Sequence, residues 1–335
     1  MRARRAFQTI DTHTVGEPTR TVVGGIPVIP GKTMVEKMTH LKENCDWIRK
    51  VLTHEPRGND VMAGVILTTP CEPEADIGVI HFEGGCYQPM CGHNTIGVST
   101  TLIEAGLVEV KEPYTHIVLD TPAGIVRVKV KVEDGVAKEV SLVNIPSFVL
   151  ERDFTVDVPG FGNLTMDISY GGNMYALMAS KQIGLDVSPQ NARKLIDAYR
   201  IIIEAINAKK IFAHPEKPFI TGVHHIEFFS EPTVPGAQAK NAVVFPPGAI
   251  DRSPCGTGSA AKLALLYAKG LLKKDEEFRH ESIIGSIFKC KVIEETKVAS
   301  LPAVVTEITG SAYITGMHTF LIDPEDPFPE GFELC

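Results

Sequence analysis

Two cysteines in this chain each open a short segment of the same pattern. The first segment reads Met90-Cys91-Gly92-His93-Asn94-Thr95-Ile96-Gly97 and the second Pro254-Cys255-Gly256-Thr257-Gly258-Ser259-Ala260-Ala261. In both, Gly follows Cys, a further glycine (Gly106, Gly270) stands 15 positions after the cysteine, and Leu comes next (Leu107, Leu271). The pattern predicts a cysteine at the mouth of a helix, with glycines for the sharp entry and a Gly closing the last turn. A helix N-terminus offers unbonded backbone N–H groups and about half a positive charge, so it stabilises a thiolate and gathers carboxylates. A cysteine placed there is expected to have its pKa lowered from about 8.5, which makes it a base or nucleophile near neutral pH. Two such elements would put a thiolate on one face of a bound carboxylate substrate and a thiol on the other. Inversion at carbon requires that arrangement, because one group removes a proton from its face while the other supplies one on the opposite face.

Other cysteine chemistries fit the pattern less well. A lone Cys is often a small core residue, but two unrelated core cysteines have no reason to share the following Gly, the helix length and the stop signal. A phosphate-binding cysteine loop would want an Arg soon after the thiol, and six positions on stand Gly97 and Ala261. A structural zinc site would show closely spaced Cys or His pairs, which only Cys91 and His93 approach, so no metal is expected. A disulfide between Cys91 and Cys255 would be an oxidised, inactive state. Cys45, Cys71, Cys86, Cys290 and Cys335 carry no motif. An odd cysteine count without a signal peptide predicts a reducing, cytoplasmic setting.

The elements that must position the two thiols follow from the rest of the chain. At 335 residues the chain can form two domains, and the internal repeat makes two similar halves the favoured division. The expected lobes are 1–125 plus 315–335, carrying Cys91, and 126–314, carrying Cys255. Net charge is −8 and the basic residues form no long run, which argues against nucleic acid and anionic membrane as partners. No apolar run reaches the ~18 residues a membrane span needs. Residues 21–25, 61–67 and 77–82 read as strands, rich in β-branched residues and bounded by Gly or Pro. The stretch 116–150 reads as several strands, with Ala123-Gly124 and Asp134-Gly135 as turns. Helical spacing predicts helices over 34–52 and 189–208. Pro159-Gly160 and Pro246-Pro247-Gly248 read as loops. The expected class is α+β, each half wrapping a strand-rich sheet round its central helix.

Met90-Cys91-Gly92-His93-Asn94 and Asp251-Arg252-Ser253-Pro254-Cys255-Gly256-Thr257-Gly258 resemble the two active-site signatures of the proline racemase family, which includes hydroxyproline epimerases and a dehydratase branch. The likeness extends to Ile10-Asp11-Thr12-His13-Thr14, Glu55-Pro56-Arg57-Gly58, Asp120-Thr121-Pro122-Ala123-Gly124 and Thr309-Gly310-Ser311-Ala312-Tyr313. The resemblance implies two pseudo-symmetric lobes, as in diaminopimelate epimerase, with the active site between them. It also implies a homodimeric enzyme that needs neither pyridoxal phosphate nor metal. By position, Cys91 and Cys255 would be the acid/base pair. The N–H groups of Gly92, His93, Gly256 and Thr257 would hold the substrate carboxylate, and the His93 and Asp251 side chains would contact the ring nitrogen. Asp251 supplies the anion that an ammonium beside a carboxylate wants. For His93 the alternative is a residue that only supports Cys91, and His13 is expected to hold a loop.

The dehydratase branch carries Thr where this chain has Cys255, so racemisation or epimerisation is expected rather than elimination. The expected substrate is free proline, with 4-hydroxyproline 2-epimerase the rival within the class. A noncatalytic redox thiol or imino-acid-binding protein is the rival from another class. Phe245, Tyr170 and Tyr175 are the candidates to face the substrate ring, although Tyr175 suits core packing equally well.

Overall fold

The computed structural model describes residues 5–218, 220–246 and 248–333; Pro247 of the expected loop and Cys335 lie outside the described residues. The chain divides into two compact units, Met1–Leu142 with Gly310–Cys335, and Val143–Thr309.

The first unit holds β1 (Arg5–Thr14), β2 (Glu17–Gly24), α1 (Met34–Asn44), α2 (Trp47–Thr53), β3 (Ala63–Thr68), β4 (Ile77–Glu83), β5 (Tyr87–Gln88), α3 (Gly92–Glu104), β6 (Tyr114–Thr121), β7 (Gly124–Glu133) and β8 (Val136–Val143). The chain returns at its end to add β18 (Ala312–Ile322). Strands pair in the order β18-β1-β2-β3-β4-β6-β7-β8, parallel at β2–β3 and β4–β6 and antiparallel elsewhere. The boundary expected between 125 and 126 falls inside β7, whose ladders to β6 and β8 tie it to this unit, so the division comes at the end of β8 instead.

The second unit holds β9 (Ser147–Val158), β10 (Gly162–Tyr170), β11 (Met174–Ala179), α4 (Ala192–Lys209), β12 (His225–Ser230), β13 (Ala239–Phe245), β14 (Ala249–Ile250), α5 (Gly256–Ala268), β15 (Phe278–Glu281), β16 (Ile287–Val298) and β17 (Leu301–Gly310). Its order is β9-β10-β11-β12-β13-β15-β16-β17, and β17 pairs back onto β9 to close a ring. Again two junctions are parallel, β11–β12 and β13–β15.

The repeat first visible around the cysteines therefore extends to whole topologies. In each unit a hairpin leads through an outer helical segment to a parallel strand, then to an antiparallel partner, a two-residue strand and the cysteine-headed helix. The result is a two-lobed α+β fold. In both lobes the cysteine-headed helix is buried against the inner face of the sheet. The outer face is covered by α1 and α2 in the first unit, whose Leu41, Ile48, Val51 and Leu52 share a core with Ile66 and Ile80 of the sheet. In the second it is covered by α4, through Leu195, Ala198, Ile202 and Ile206.

Local signals explain most element ends. The helix expected over 34–52 breaks into α1 and α2 around Cys45, and Thr33 caps α1 by accepting the Glu36 N–H at 3.1 Å. The Asp134-Gly135 turn has both residues at positive φ (53° and 73°), the geometry that suits a two-residue hairpin. His13 Nδ1 accepts the Gly16 N–H at 3.0 Å and so holds the β1–β2 turn, a loop role.

Candidate active site

Cys91 is the N-cap residue of α3, in extended conformation (φ −142°). The helix is seated close to β1 and β2. A Cβ at Gly97 would stand 2.8 Å from Thr12 Oγ1 and 2.9 Å from Thr19 Cβ, so only glycine allows this approach. Side chains then lock the first turn: Thr19 Oγ1 donates to Asn94 Oδ1 (2.9 Å), Asn94 Nδ2 to Gly64 O (3.2 Å), and Thr14 Oγ1 to His93 O (2.8 Å). With that turn fixed, Cys91 Sγ lies 3.3 Å from His93 Nδ1. Burial pushes His93 down to about 4, only partly offset by the Pro18 carbonyl, so the ring facing the sulfur is neutral at neutral pH. A neutral imidazole accepts from a thiol or donates to a thiolate, and so suits either state of Cys91.

Cys255 caps α5 differently. It is a non-glycine residue at φ 61° and ψ 112°, a sparsely populated conformation that costs about 1–3 kcal/mol. This backbone turns the side chain back over the helix mouth. Sγ accepts the Gly258 N–H at 3.4 Å and meets the Tyr175 hydroxyl at 3.4 Å and Thr257 Oγ1 at 3.8 Å. The Tyr175 and Thr257 hydroxyls are themselves 2.6 Å apart. Close approach is again secured by glycine, since a Cβ at Gly171 would stand 2.1 Å from Thr257 O.

The electrostatics at this cap correct the expectation of a lowered thiol pKa. Burial, reinforced by the neighbouring Asp251 carboxylate, pushes Cys255 well above the ordinary thiol range. Desolvation of a thiolate outweighs the partial charge of one helix end. Asp251 is itself buried and raised to about 6 by burial, offset by Ser253, whose N–H donates to Asp251 Oδ1 at 2.8 Å.

Gly92, His93, Gly256 and Thr257 occupy the first turns of α3 and α5. The ladders begin with Thr95 N–H to Cys91 O (3.0 Å) and Ser259 N–H to Cys255 O (2.8 Å), so those four N–H groups precede the intrahelical bonds.

The ring-facing candidates sort by strand parity. Tyr170 is opposite Met174 in the β10–β11 ladder, so its side chain shares Met174's face and Tyr175 takes the other. Tyr170 packs in the outer core, stacked on Phe148 (5.1 Å) and edge-on to His214 (4.8 Å), and is not part of the cysteine site. Tyr175, for which ring-facing and core-packing readings were both open, lies on the side of the cysteine. It belongs to the inner cluster with Leu177, Val243, Cys255, Ala261 and Leu265.

Phe245 lies on that same inner face, because Tyr175 pairs with His225 and the β12–β13 register sets His225 opposite Phe245. The three rings form a row, Tyr175 to His225 at 5.0 Å and His225 to Phe245 at 6.4 Å. His225 was missed in the sequence. Its only signal was the odd-numbered parity it shares with Glu227 and Phe229, which becomes informative once the register is known. Burial pushes it down to about 3, and its Nδ1 has no hydrogen-bond partner among the described residues.

Comparison with known proteins places the chain in a family. A family model described as proline racemase matches residues 9–333. The chain is 51% identical over 334 residues to a proline racemase of Clostridioides difficile, covering 100% of both chains. It is 48% identical over 338 residues to a 4-hydroxyproline 2-epimerase of Streptosporangium roseum, again covering 100% of both. The crystal structure of a hydroxyproline epimerase from Agrobacterium vitis with bound trans-4-hydroxy-L-proline matches with a TM-score of 0.91 at 36% identity, covering 100% of this chain and 96% of that one. A phenazine biosynthesis protein of the PhzF family from Bacillus anthracis, at 15% identity and a TM-score of 0.61, shares the fold. Since the likeness spans both cysteine-headed helices and the sheets that enclose them, the chain belongs to the proline racemase family of isomerases.

Proposed function

We propose that this protein interconverts L- and D-proline by proton transfer at the α-carbon, using Cys91 and Cys255 as the acid/base pair and no cofactor or metal. The observation that carries the proposal is that each unit sets a cysteine at the head of its buried helix with a polar partner at the sulfur. That partner is His93 for Cys91, and Tyr175 with Thr257 for Cys255.

The reaction requires one sulfur on each face of the α-carbon. The raised pKa of Cys255 keeps its proton on the sulfur, so Cys255 is assigned as the acid and Cys91 as the base that must lose its own proton before it acts. Cys91 takes the α-proton while the Cys255 S–H delivers its own to the opposite face, leaving Cys91 as thiol and Cys255 as thiolate. The opposite direction restores the starting pair. The substrate carboxylate takes the N–H groups of Gly92, His93, Gly256 and Thr257. A cationic ring nitrogen placed against Asp251 cancels the negative charge that helps hold the Cys255 pKa up, which eases proton donation by the Cys255 thiol. The neutral His93 ring, 3.3 Å from Cys91, serves the sulfur rather than the substrate nitrogen.

A second reading, 4-hydroxyproline 2-epimerase, is favoured by His225. The apolar Phe245 offers no hydrogen bond to a ring hydroxyl, but the neighbouring imidazole does. Optical rotation of the purified protein with L-proline and with trans-4-hydroxy-L-proline separates the two. Failure with both, together with a reversible Cys91 to Cys255 disulfide, would instead support a redox or binding protein. A homodimer in the cytoplasm completes the proposal; no helix among the described residues is long and apolar enough to cross a membrane.

A further inference from the structure

Beneath α5 lies a buried polar network that the proton transfer does not itself use. Asn241 Nδ2 donates to the carbonyl of Pro254 at 2.8 Å, and Ser259 Oγ lies 3.1 Å from the same oxygen. Ser259 Oγ is also 2.9 Å from His280 Nδ1. His280 Nε2 in turn faces Glu227 at 3.8 Å, and Lys262 Nζ lies 3.9 Å from the same carboxylate and over the Phe229 ring. Asn241, Ser259, His280 and Glu227 are all fully buried.

Two members of this network, Asn241 and Ser259, meet at the carbonyl of the peptide that precedes Cys255. We propose that Asn241 and Ser259, backed by His280, are positioning residues that grip the Pro254 carbonyl and thereby hold Cys255 at its positive φ with its sulfur over the helix mouth.

The φ angle of Cys255 is set by the orientation of the peptide planes on either side of it. The plane after it is fixed by the Ser259 N–H bonded to Cys255 O at 2.8 Å. The plane before it is fixed by the grip on Pro254 O, and by the Cys255 N–H donating to Ser253 Oγ at 3.1 Å. An L-residue at φ 61° and ψ 112° relaxes unless both planes are held. Ser259 has a single hydroxyl proton to share between Pro254 O and His280 Nδ1. When it donates to the imidazole, Asn241 alone holds the carbonyl. Asn241 is therefore the more important of the two. Cys91, in ordinary extended conformation, needs no such clamp.

This inference rests on Cys255 being a proton carrier, so the test has two readouts. Asn241→Ala, Asn241→Asp and Ser259→Ala are compared with Asn207→Ala, which removes a side chain hydrogen-bonded to Val223 O on α4, outside the cysteine site. The expected result for the Asn241 variants is a fall in kcat on the order of 10- to 100-fold with KM within about twofold, because a misplaced sulfur costs rate more than binding. Ser259→Ala should show a smaller fall in the same sense, and it carries the test if the Asn241 variants do not fold. In the substrate-free protein, iodoacetamide labelling of Cys255 relative to Cys91, read by peptide mass spectrometry, should rise in the clamp variants and not in Asn207→Ala. An unchanged labelling ratio together with an unchanged kcat, or losses matched by Asn207→Ala, would overturn the proposal. If the wild type racemises neither imino acid, the functional reading fails while the labelling ratio still decides whether the clamp exists.

Discussion

The phenol of Tyr175 lies 3.4 Å from Cys255 Sγ, on the face of β11 opposite to the one that continues from Tyr170. Tyr175→Phe removes a polar partner of the sulfur and leaves the ring packing in place. The expected loss is on the order of tenfold in kcat, about the worth of one hydrogen bond to a charged group. Tyr170→Phe should leave kcat unchanged, whereas Tyr170→Ala should cost roughly 3 kcal/mol or more in urea-measured stability by opening a cavity in the outer core. Kinetics and urea melts of the three variants check this; a kinetic loss in Tyr170→Phe would restore Tyr170 to the site.

Stability should fall as pH drops from about 6.5 towards 4. Burial depresses the pKa of His81, His93, His214, His225 and His280. Above pH 6.5 these rings are neutral in both folded and unfolded chains; below it the unfolded chain takes up protons that the folded chain refuses, so stability is lost as pH falls. Glu83, Glu227 and Asp251, whose pKa values are raised, act in the opposite sense over the same window but are fewer. The urea midpoint should therefore be lower at pH 5 than at pH 7, and an equal or higher midpoint at pH 5 would contradict the burial of neutral histidines.

Much of this was legible in the sequence. The repeated Cys-Gly pattern carries the two helix caps and, through them, the doubled topology. The Gly and Asp-Gly signals mark the hairpins. Three things were not legible, for physical reasons. Which of Tyr170 and Tyr175 faces the sulfur depends on the parity of β11 against β10, which only the register supplies. His225 reaches the site only through the pairing of β12 with both β11 and β13. The raised Cys255 pKa reflects a balance between desolvation and a helix terminus, and burial of the cap was invisible until the sheet closed around it.

His225 should set ring preference. Its Nδ1, without a hydrogen-bond partner among the described residues, lies beside Phe245 and offers a ring hydroxyl the hydrogen bond that the apolar wall lacks. His225→Leu should lower kcat/KM for trans-4-hydroxy-L-proline relative to L-proline by roughly 10- to 100-fold, equivalent to about 1–3 kcal/mol. A ratio unchanged by the substitution would remove His225 from ring recognition.

The Asp11-Thr12-His13-Thr14 segment owes its first residue to structure. Arg20 pairs with Asp11 through Nη2 at 2.8 Å and Nε at 3.0 Å, and its Nη1 donates to the carbonyls of Leu52 (2.7 Å) and Arg57 (2.6 Å). Arg20→Leu leaves the Asp11 carboxylate with Thr9 Oγ1 (3.0 Å) and His318 Nε2 (3.6 Å) and removes its guanidinium partner and the donor to two carbonyls, and should destabilise the protein by about 2–4 kcal/mol. Urea melts measure this, and a loss below about 1 kcal/mol would show that solvent reaches Asp11 readily.

The most direct measurement is racemisation by Cys91→Ser and Cys255→Ser, followed by polarimetry from each proline enantiomer, with α-hydrogen exchange in D2O read by NMR. A hydroxyl is far too weak an acid to replace either thiol, so both variants should lose racemisation by several orders of magnitude. Exchange without inversion can survive in one variant, because a single remaining base still works from its own face. Near wild-type racemisation by either single variant would contradict the two-thiol mechanism.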